Sequence, residues 1–275
     1  MTAIPRRTPK EFAFVIRKLG LDKILLVEGP SDRLFYRLVL DSAGVAERAA
    51  VHAIGELDVP VEWLDAGSDH SDNRRLVVSV CIAREAGIGL EQFSVRGVID
   101  LDLGVPAEWL GVKSLLVTDV PALESYCFTA ATLEKLLRLV LHDSSDLTGS
   151  DLVAELTPIT AGLIGARRVD GTIGSSAAKV VAYADGRWSR SFSDDRRTQA
   201  FDRASRESAG IADPREVCYG HDLAEVLIVR FANRIKNYAG IRSPEALERT
   251  LLASLELEHI RDEPLFLKLC AWAVA

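Results

Sequence analysis

The feature that most constrains this chain is an alternation of two hydrophobic periods along its first 130 residues. Lys23-Ile24-Leu25-Leu26-Val27 is almost continuously apolar and stops at Gly29-Pro30, which reads as a short strand buried on both faces and ended by a turn. The next segment, 31–43, carries Leu34, Phe35, Leu38 and Val39 at helical spacing, with Ser31 as its N-cap. Residues 59–64 read as a second strand despite Pro60, residues 72–86 as a helix, and residues 95–99 and 114–118 as two further strands. Short strands separated by helices require crossover connections, so the pattern predicts an α/β fold: a parallel sheet with flanking helices.

Beyond residue 130 only helices and loops are expected. Residues 132–141, 222–238 and 243–258 show apolar faces, and Ser243-Pro244-Glu245 is a well-formed helix start. Residues 165–193, rich in Gly, Ser and Arg, read as irregular. The expected organisation is an N-terminal helical segment at 1–21, a sheet domain at 22–130, and a mainly helical C-terminal region at 131–275.

Hydrophobic residues make up 48% and charged residues 27%, which suits a globular protein and excludes a largely disordered or coiled-coil chain. No apolar run reaches the roughly 18 residues that span a bilayer, and the N-terminus lacks a signal-peptide pattern, so a cytoplasmic protein with no membrane partner is expected. Cys81, Cys127, Cys218 and Cys270 are scattered singly, against a zinc ribbon or disulfide framework. The net charge of −7 is uneven: residues 165–206 hold nine Lys/Arg against five Asp/Glu, a window of +4 in a remainder of −11.

Ligands of parallel sheets bind outside the carboxyl ends of the strands. The residues there are acidic: Glu28 and Asp32 after the first strand, Asp65 and Asp69 after the second, Asp100 and Asp102 after the third, Asp119 and Glu124 after the fourth. Gathered carboxylates repel one another unless a cation neutralises them, and all-oxygen ligands suit Mg²⁺ or Mn²⁺ and hence phosphate chemistry. As single residues, the same acids are ordinary solvated loop residues or helix caps.

Ile24-Leu25-Leu26-Val27-Glu28-Gly29-Pro30-Ser31-Asp32, followed by Val98-Ile99-Asp100-Leu101-Asp102, resembles the Toprim domain of topoisomerases, bacterial primases and OLD-type nucleases. Leu123-Glu124-Ser125-Tyr126 and Gly220-His221-Asp222-Leu223 resemble more narrowly a bacterial Toprim-like family, some of whose members are nuclease effectors beside ABC-type ATPases in phage defence. The resemblance makes 22–130 a Toprim-like domain. It implies Glu28, Asp100 and Asp102 as catalytic residues and Glu28, Asp32, Asp100, Asp102 and Glu124 as ligands of Mg²⁺ or Mn²⁺. OLD-type nucleases also place a downstream lysine near the metal; Lys113 and Lys179 are candidates for it without a motif.

Other signals are local. Asp100-x-Asp102 departs from the phosphatase motif at Gly104, and neither a dinucleotide loop nor a nucleotide-binding P-loop occurs. Asp222 with Glu225 has the spacing of a capping box, while His221 is either a structural histidine or an accessory substrate or metal contact. Arg167, Arg168, Lys179, Arg187, Arg190, Arg196 and Arg197, together with Arg203 and Arg206, interleave with Tyr183, Trp188, Phe192 and Phe201. This pattern suits phosphate contact and base stacking by a nucleic acid, or a solvated face over core aromatics. The expectation is an Mg²⁺-dependent nuclease acting on DNA or RNA, tRNA included, under the control of an ABC-type ATPase. The alternative is a non-catalytic Toprim-like subunit that docks on such an ATPase.

Overall fold

The computed structural model describes residues 6–64, 72–143, 145–170, 176–237 and 239–275, with backbone alone at residue 170. The acidic cluster at Asp65 and Asp69 lies outside the described residues. The chain divides into two compact units. The first runs to Leu101 and adds Val105–Asp119 and Leu257–Ala275; the second holds Asp102–Gly104 and Val120–Glu256.

The first unit is the expected α/β fold. Its elements are α1 (Pro9–Lys18), β1 (Lys23–Val27), α2 (Pro30–Ser42), β2 (Ala50–Ala53), α3 (Asn73–Glu85), β3 (Ser94–Ile99) and β4 (Leu115–Val117). The strands form a four-stranded sheet in the order β2-β1-β3-β4, every pairing parallel. Ile24 on β1 stands opposite Ala50 on one side and Val95 on the other. Ile24, Leu26, Val95 and Ile99 share a buried core with Phe12, Ile16, Leu76, Val77, Val80 and Cys81 from α1 and α3. Gly97 allows α3 this close, because a Cβ there would stand 2.6 Å from Cys81 Sγ and from Val77 Cγ1.

The second strand differs from the expected one. Residues 59–64 contain a 3₁₀ turn, Val61–Trp63, directly after Pro60, whose fixed φ and missing N–H suit a turn better than a ladder. The edge position is filled by Ala50-Val51-His52-Ala53, in which His52 Nδ1 lies 2.7 Å from Glu56 Oε2 and the ring packs edge-on against Phe12. Helix α2 also starts one residue before the expected Ser31 cap, with Gly29 as N-cap and Pro30 at the first turn.

The second unit contains α4 (Ala130–Lys135), a π turn at Leu136–Val140, α5 (Gly149–Asp170), β5 (Val181–Ala184), β6 (Arg187–Arg190), α6 (Asp195–Glu207), α7 (Gly220–Asn237) and α8 (Pro244–Ser254). The irregular reading of 165–193 is corrected. Helix α5 runs on to Asp170, and β5 and β6 form an antiparallel hairpin across Asp185 and Gly186, both at positive φ. Asp-Gly between two short extended segments is a hairpin-turn signal readable in the sequence. Helix α5 carries no amphipathic period because it is apolar nearly all round, and it contains Pro158.

Gly162 and Gly165 seat α5 against α6. A Cβ at 162 would stand 2.6 Å from the Phe201 ring, and one at 165 would stand 2.6 Å from Ala204 Cβ and 2.8 Å from the Ala200 carbonyl oxygen. The chain then returns to the first unit with α9 (Pro264–Val274), where Trp272 Nε1 donates to Ser94 Oγ at 2.8 Å and Phe266 packs on Phe35 and Tyr36. Residues 257–275 therefore group with the sheet and not with the helical region in which the sequence order puts them.

Candidate active site

From β1 the chain crosses to β2 on one side and later to β3 on the other, so the topological switch point of the sheet lies between β1 and β3. Open α/β sheets bind ligands at the carboxyl ends of strands at such a point, because the two crossovers diverge there and leave a crevice. Glu28 follows β1 and Asp100 follows β3. The Asp100 N–H donates to Glu28 Oε1 at 3.0 Å, so these two of the expected site residues meet. Both are half-buried.

The neighbouring acids have structural duties as well. The Gly29 N–H donates to Asp32 Oδ2 at 2.7 Å, so Asp32 closes the first turn of α2 and stiffens the Glu28-Gly29 corner. Asp119 Oδ2 accepts the Leu265 N–H at 3.0 Å and caps α9. The Leu101 N–H donates to Thr118 Oγ1 at 2.8 Å, which ties the loop after β3 to the end of β4.

Asp102 and Glu124 group with the second unit. Asp102 has φ 51°, a left-handed conformation that aspartate tolerates better than most residues, and its N–H donates to the Pro121 carbonyl at 2.7 Å. Glu124 is buried in the turn Leu123–Cys127, where Ser125 Oγ donates to the Cys218 carbonyl at 2.5 Å. Gly220 at the start of α7 is required by this packing, since a Cβ there would stand 2.6 Å from Glu124 Cβ. Among the described residues, no three His, Cys, Asp or Glu side chains gather into a group able to hold a metal ion.

His221 Nδ1 lies 2.6 Å from Glu248 Oε1, and this carboxylate, with Glu124 and Asp222 nearby, raises the imidazole pKa to about 9. The capping-box reading of Asp222 and Glu225 is corrected. Asp222 is buried against Arg167, which donates from Nε at 3.1 Å and from a terminal nitrogen to the other carboxylate oxygen. Burial pushes the Asp222 carboxyl up, against the opposite pull of Arg167. Glu225 accepts from Ser176 Oγ at 2.8 Å and the Ala178 N–H at 3.0 Å. Arg167 also lies over the Tyr219 ring, 5.2 Å from its centroid, and is buried. Its expected place in a nucleic-acid surface is thereby corrected to a core ion pair.

The remaining basic residues sort by what holds them. Arg168, Lys179 and Arg187 are exposed. Arg190 pairs with Asp202, Arg197 lies over Phe192 at 5.2 Å, and Arg196 approaches Asp194 at 3.7 Å. The hairpin aromatics face protein: Tyr183 and Trp188 pack edge to face, Arg230 covers Tyr183 at 4.1 Å, and Trp188 Nε1 donates to Glu155 at 2.9 Å. Burial pushes the thiols of Cys81, Cys127 and Cys218 up, Cys81 to about 12, which makes them poor nucleophiles. Compared with known proteins, the chain matches no protein-family model and no curated protein.

Proposed function

We propose that this chain is a divalent-cation-dependent hydrolase of nucleic-acid phosphodiesters, of the Toprim kind that its Glu28-Gly29 and Asp100-x-Asp102 motifs resemble. The observation that carries the reading is the contact between Glu28 and the Asp100 backbone at the switch point of a parallel sheet. The donor chemistry fits a hard cation: Glu28, Asp32 and Asp100, the acids that follow β1 and β3, offer carboxylate oxygens alone. Glu28 and Asp100 would hold Mg²⁺ or Mn²⁺, with Asp32 setting the turn that presents Glu28. The bound ion supplies polarisation of the phosphate and a more acidic water. Glu28, oriented by the Asp100 N–H, would serve there either as a ligand of the ion or as the base toward water, and the half-burial of the corner would strengthen either role. Control by an ABC-type ATPase rests on the resemblance alone, and turnover with and without such a partner tests it.

The second reading, a non-catalytic scaffold of the same fold, is favoured by the capping duties of Asp32 and Asp119 and by the lack of a three-donor group among the described residues. One experiment separates the two. Mg²⁺-dependent cleavage of tRNA, single-stranded and duplex substrates is measured for the wild type and for Glu28→Gln, which keeps an acceptor for the Asp100 N–H and removes the charge. Cleavage lost in Glu28→Gln supports the hydrolase. No cleavage and no cation binding by the wild type, with or without the ATPase, assigns the scaffold.

A further inference from the structure

We propose that the exposed face of α6 is a docking surface for the phosphodiester backbone of nucleic acid, built from Arg196, Gln199, Arg203 and Arg206. The inference rests on the reading above for the identity of the polyanion, and adds where the chain holds it. Positions 196, 199, 203 and 206 follow the three-and-four spacing that brings side chains onto one stripe of a helix. Beside the stripe, α6 packs Ala200 and Ala204 against Gly165, and Phe201 against Gly162, so a tightly packed helix pair displays the stripe. The same four side chains, with Val169, Ala200 and Asp202, border a groove of about 530 Å³.

The charges in this groove are weakly held by the protein itself. Arg203 has no ion-pair or hydrogen-bond partner among the described residues. Arg206 Nε donates to the Asp202 backbone carbonyl at 3.1 Å, an acceptor without net charge. Arg196 is 79% exposed and 3.7 Å from its nearest carboxylate, too far for a tight pair. Asp202, the acid at the groove, is already neutralised by Arg190. Three guanidiniums thus stand along one edge, and guanidinium forks match phosphate oxygens. Ten residues of helix between Arg196 and Arg206 cover about 15 Å, roughly four nucleotide steps along one strand. Arg190 and Arg197, which the sequence groups with Arg196, point their charge at Asp202 and Phe192 instead.

The test is binding of labelled single-stranded RNA and duplex DNA to the full chain in EDTA, from 50 to 200 mM salt, by fluorescence anisotropy. Each lost phosphate contact lowers the salt slope by about 0.9 for duplex and about 0.7 for single strands. The wild type should therefore lose about 40-fold more affinity across that range than Arg196→Gln/Arg203→Gln/Arg206→Gln on duplex, or about 18-fold more on single strands. The triple lysine variant should keep most of the slope, and Arg197→Gln, whose charge lies over Phe192, should keep all of it. An unchanged slope in the triple glutamine variant, or a slope abolished in Arg197→Gln, overturns the proposal. Binding to phosphatidylserine vesicles that depends on the three arginines, without oligonucleotide binding, overturns it in favour of a membrane surface. Because EDTA removes any cation, binding that requires the arginines in a chain that never cleaves would sink the hydrolase reading and leave this surface standing; cleavage with an unaltered slope would do the reverse.

Discussion

Arg167 and Asp222, 55 residues apart, meet in a two-pronged ion pair whose side chains are 5% and 1% exposed. Charges this deeply buried attract each other strongly but have lost their hydration, so removing one leaves the other stranded. Arg167→Met or Asp222→Leu alone should destabilise the protein by about 3–5 kcal/mol. The double variant should recover most of that loss, since two apolar side chains leave no buried charge. Urea unfolding of the four proteins measures the coupling, and additive losses in the double variant would show that the pair does not act as a unit.

His221 and Glu248 make a second prediction, with a definite sign. The folded-state pKa of about 9 lies above the ordinary histidine value, so the pair's contribution to stability is complete at pH below about 6.5 and is lost as pH rises through about 9. The melting temperatures of wild type and Glu248→Gln should differ most near pH 6 and converge above pH 9 as far as this pair is concerned. The NMR titration midpoint of His221 should fall in Glu248→Gln, and a midpoint unmoved by the substitution would assign the shift to Glu124 and Asp222.

A cation that binds only the folded protein stabilises it by mass action. At a hundredfold excess over Kd, Mn²⁺ should contribute about 2.7 kcal/mol. The rise in melting temperature should shrink in Glu28→Gln and in Asp100→Asn. Calorimetric scans with and without millimolar Mn²⁺ check this, and equal scans for the wild type would remove the cation from the proposed chemistry.

Two glycine replacements should have opposite signs. Gly165→Ala places a methyl group against Ala204 Cβ and the Ala200 carbonyl, 2.6 and 2.8 Å away, and neither helix backbone can yield cheaply. Overpacking should outweigh the gain in helix propensity and cost on the order of 1–2 kcal/mol. Gly55→Ala meets nothing within 4 Å and should be neutral or stabilising by about 0.5 kcal/mol. Denaturation midpoints of both variants settle the comparison.

Local chemistry alone sets the elements that are legible in the sequence. Buried strands announce themselves as apolar runs ended by turn residues, and amphipathic helices by their period, which is why β1, β3, α2 and α3 are legible in the sequence, as is the placement of Glu28 and Asp100 at strand ends. Tertiary structure decided which polar groups meet. The Glu28 to Asp100 contact depends on β3 pairing with β1 across 72 residues, and Asp32 and Asp119 acquire capping duties only where α2 and α9 begin. The short edge strand Ala50–Ala53 has too little hydrophobic signal of its own and is a strand because β1 offers it a ladder. Arg167 and Arg203 are the same residue type in the same basic window, yet one is sealed against Asp222 and the other faces solvent. A charge's partners are set by groups distant in the chain and close in space, and no period or spacing in the sequence records that distance.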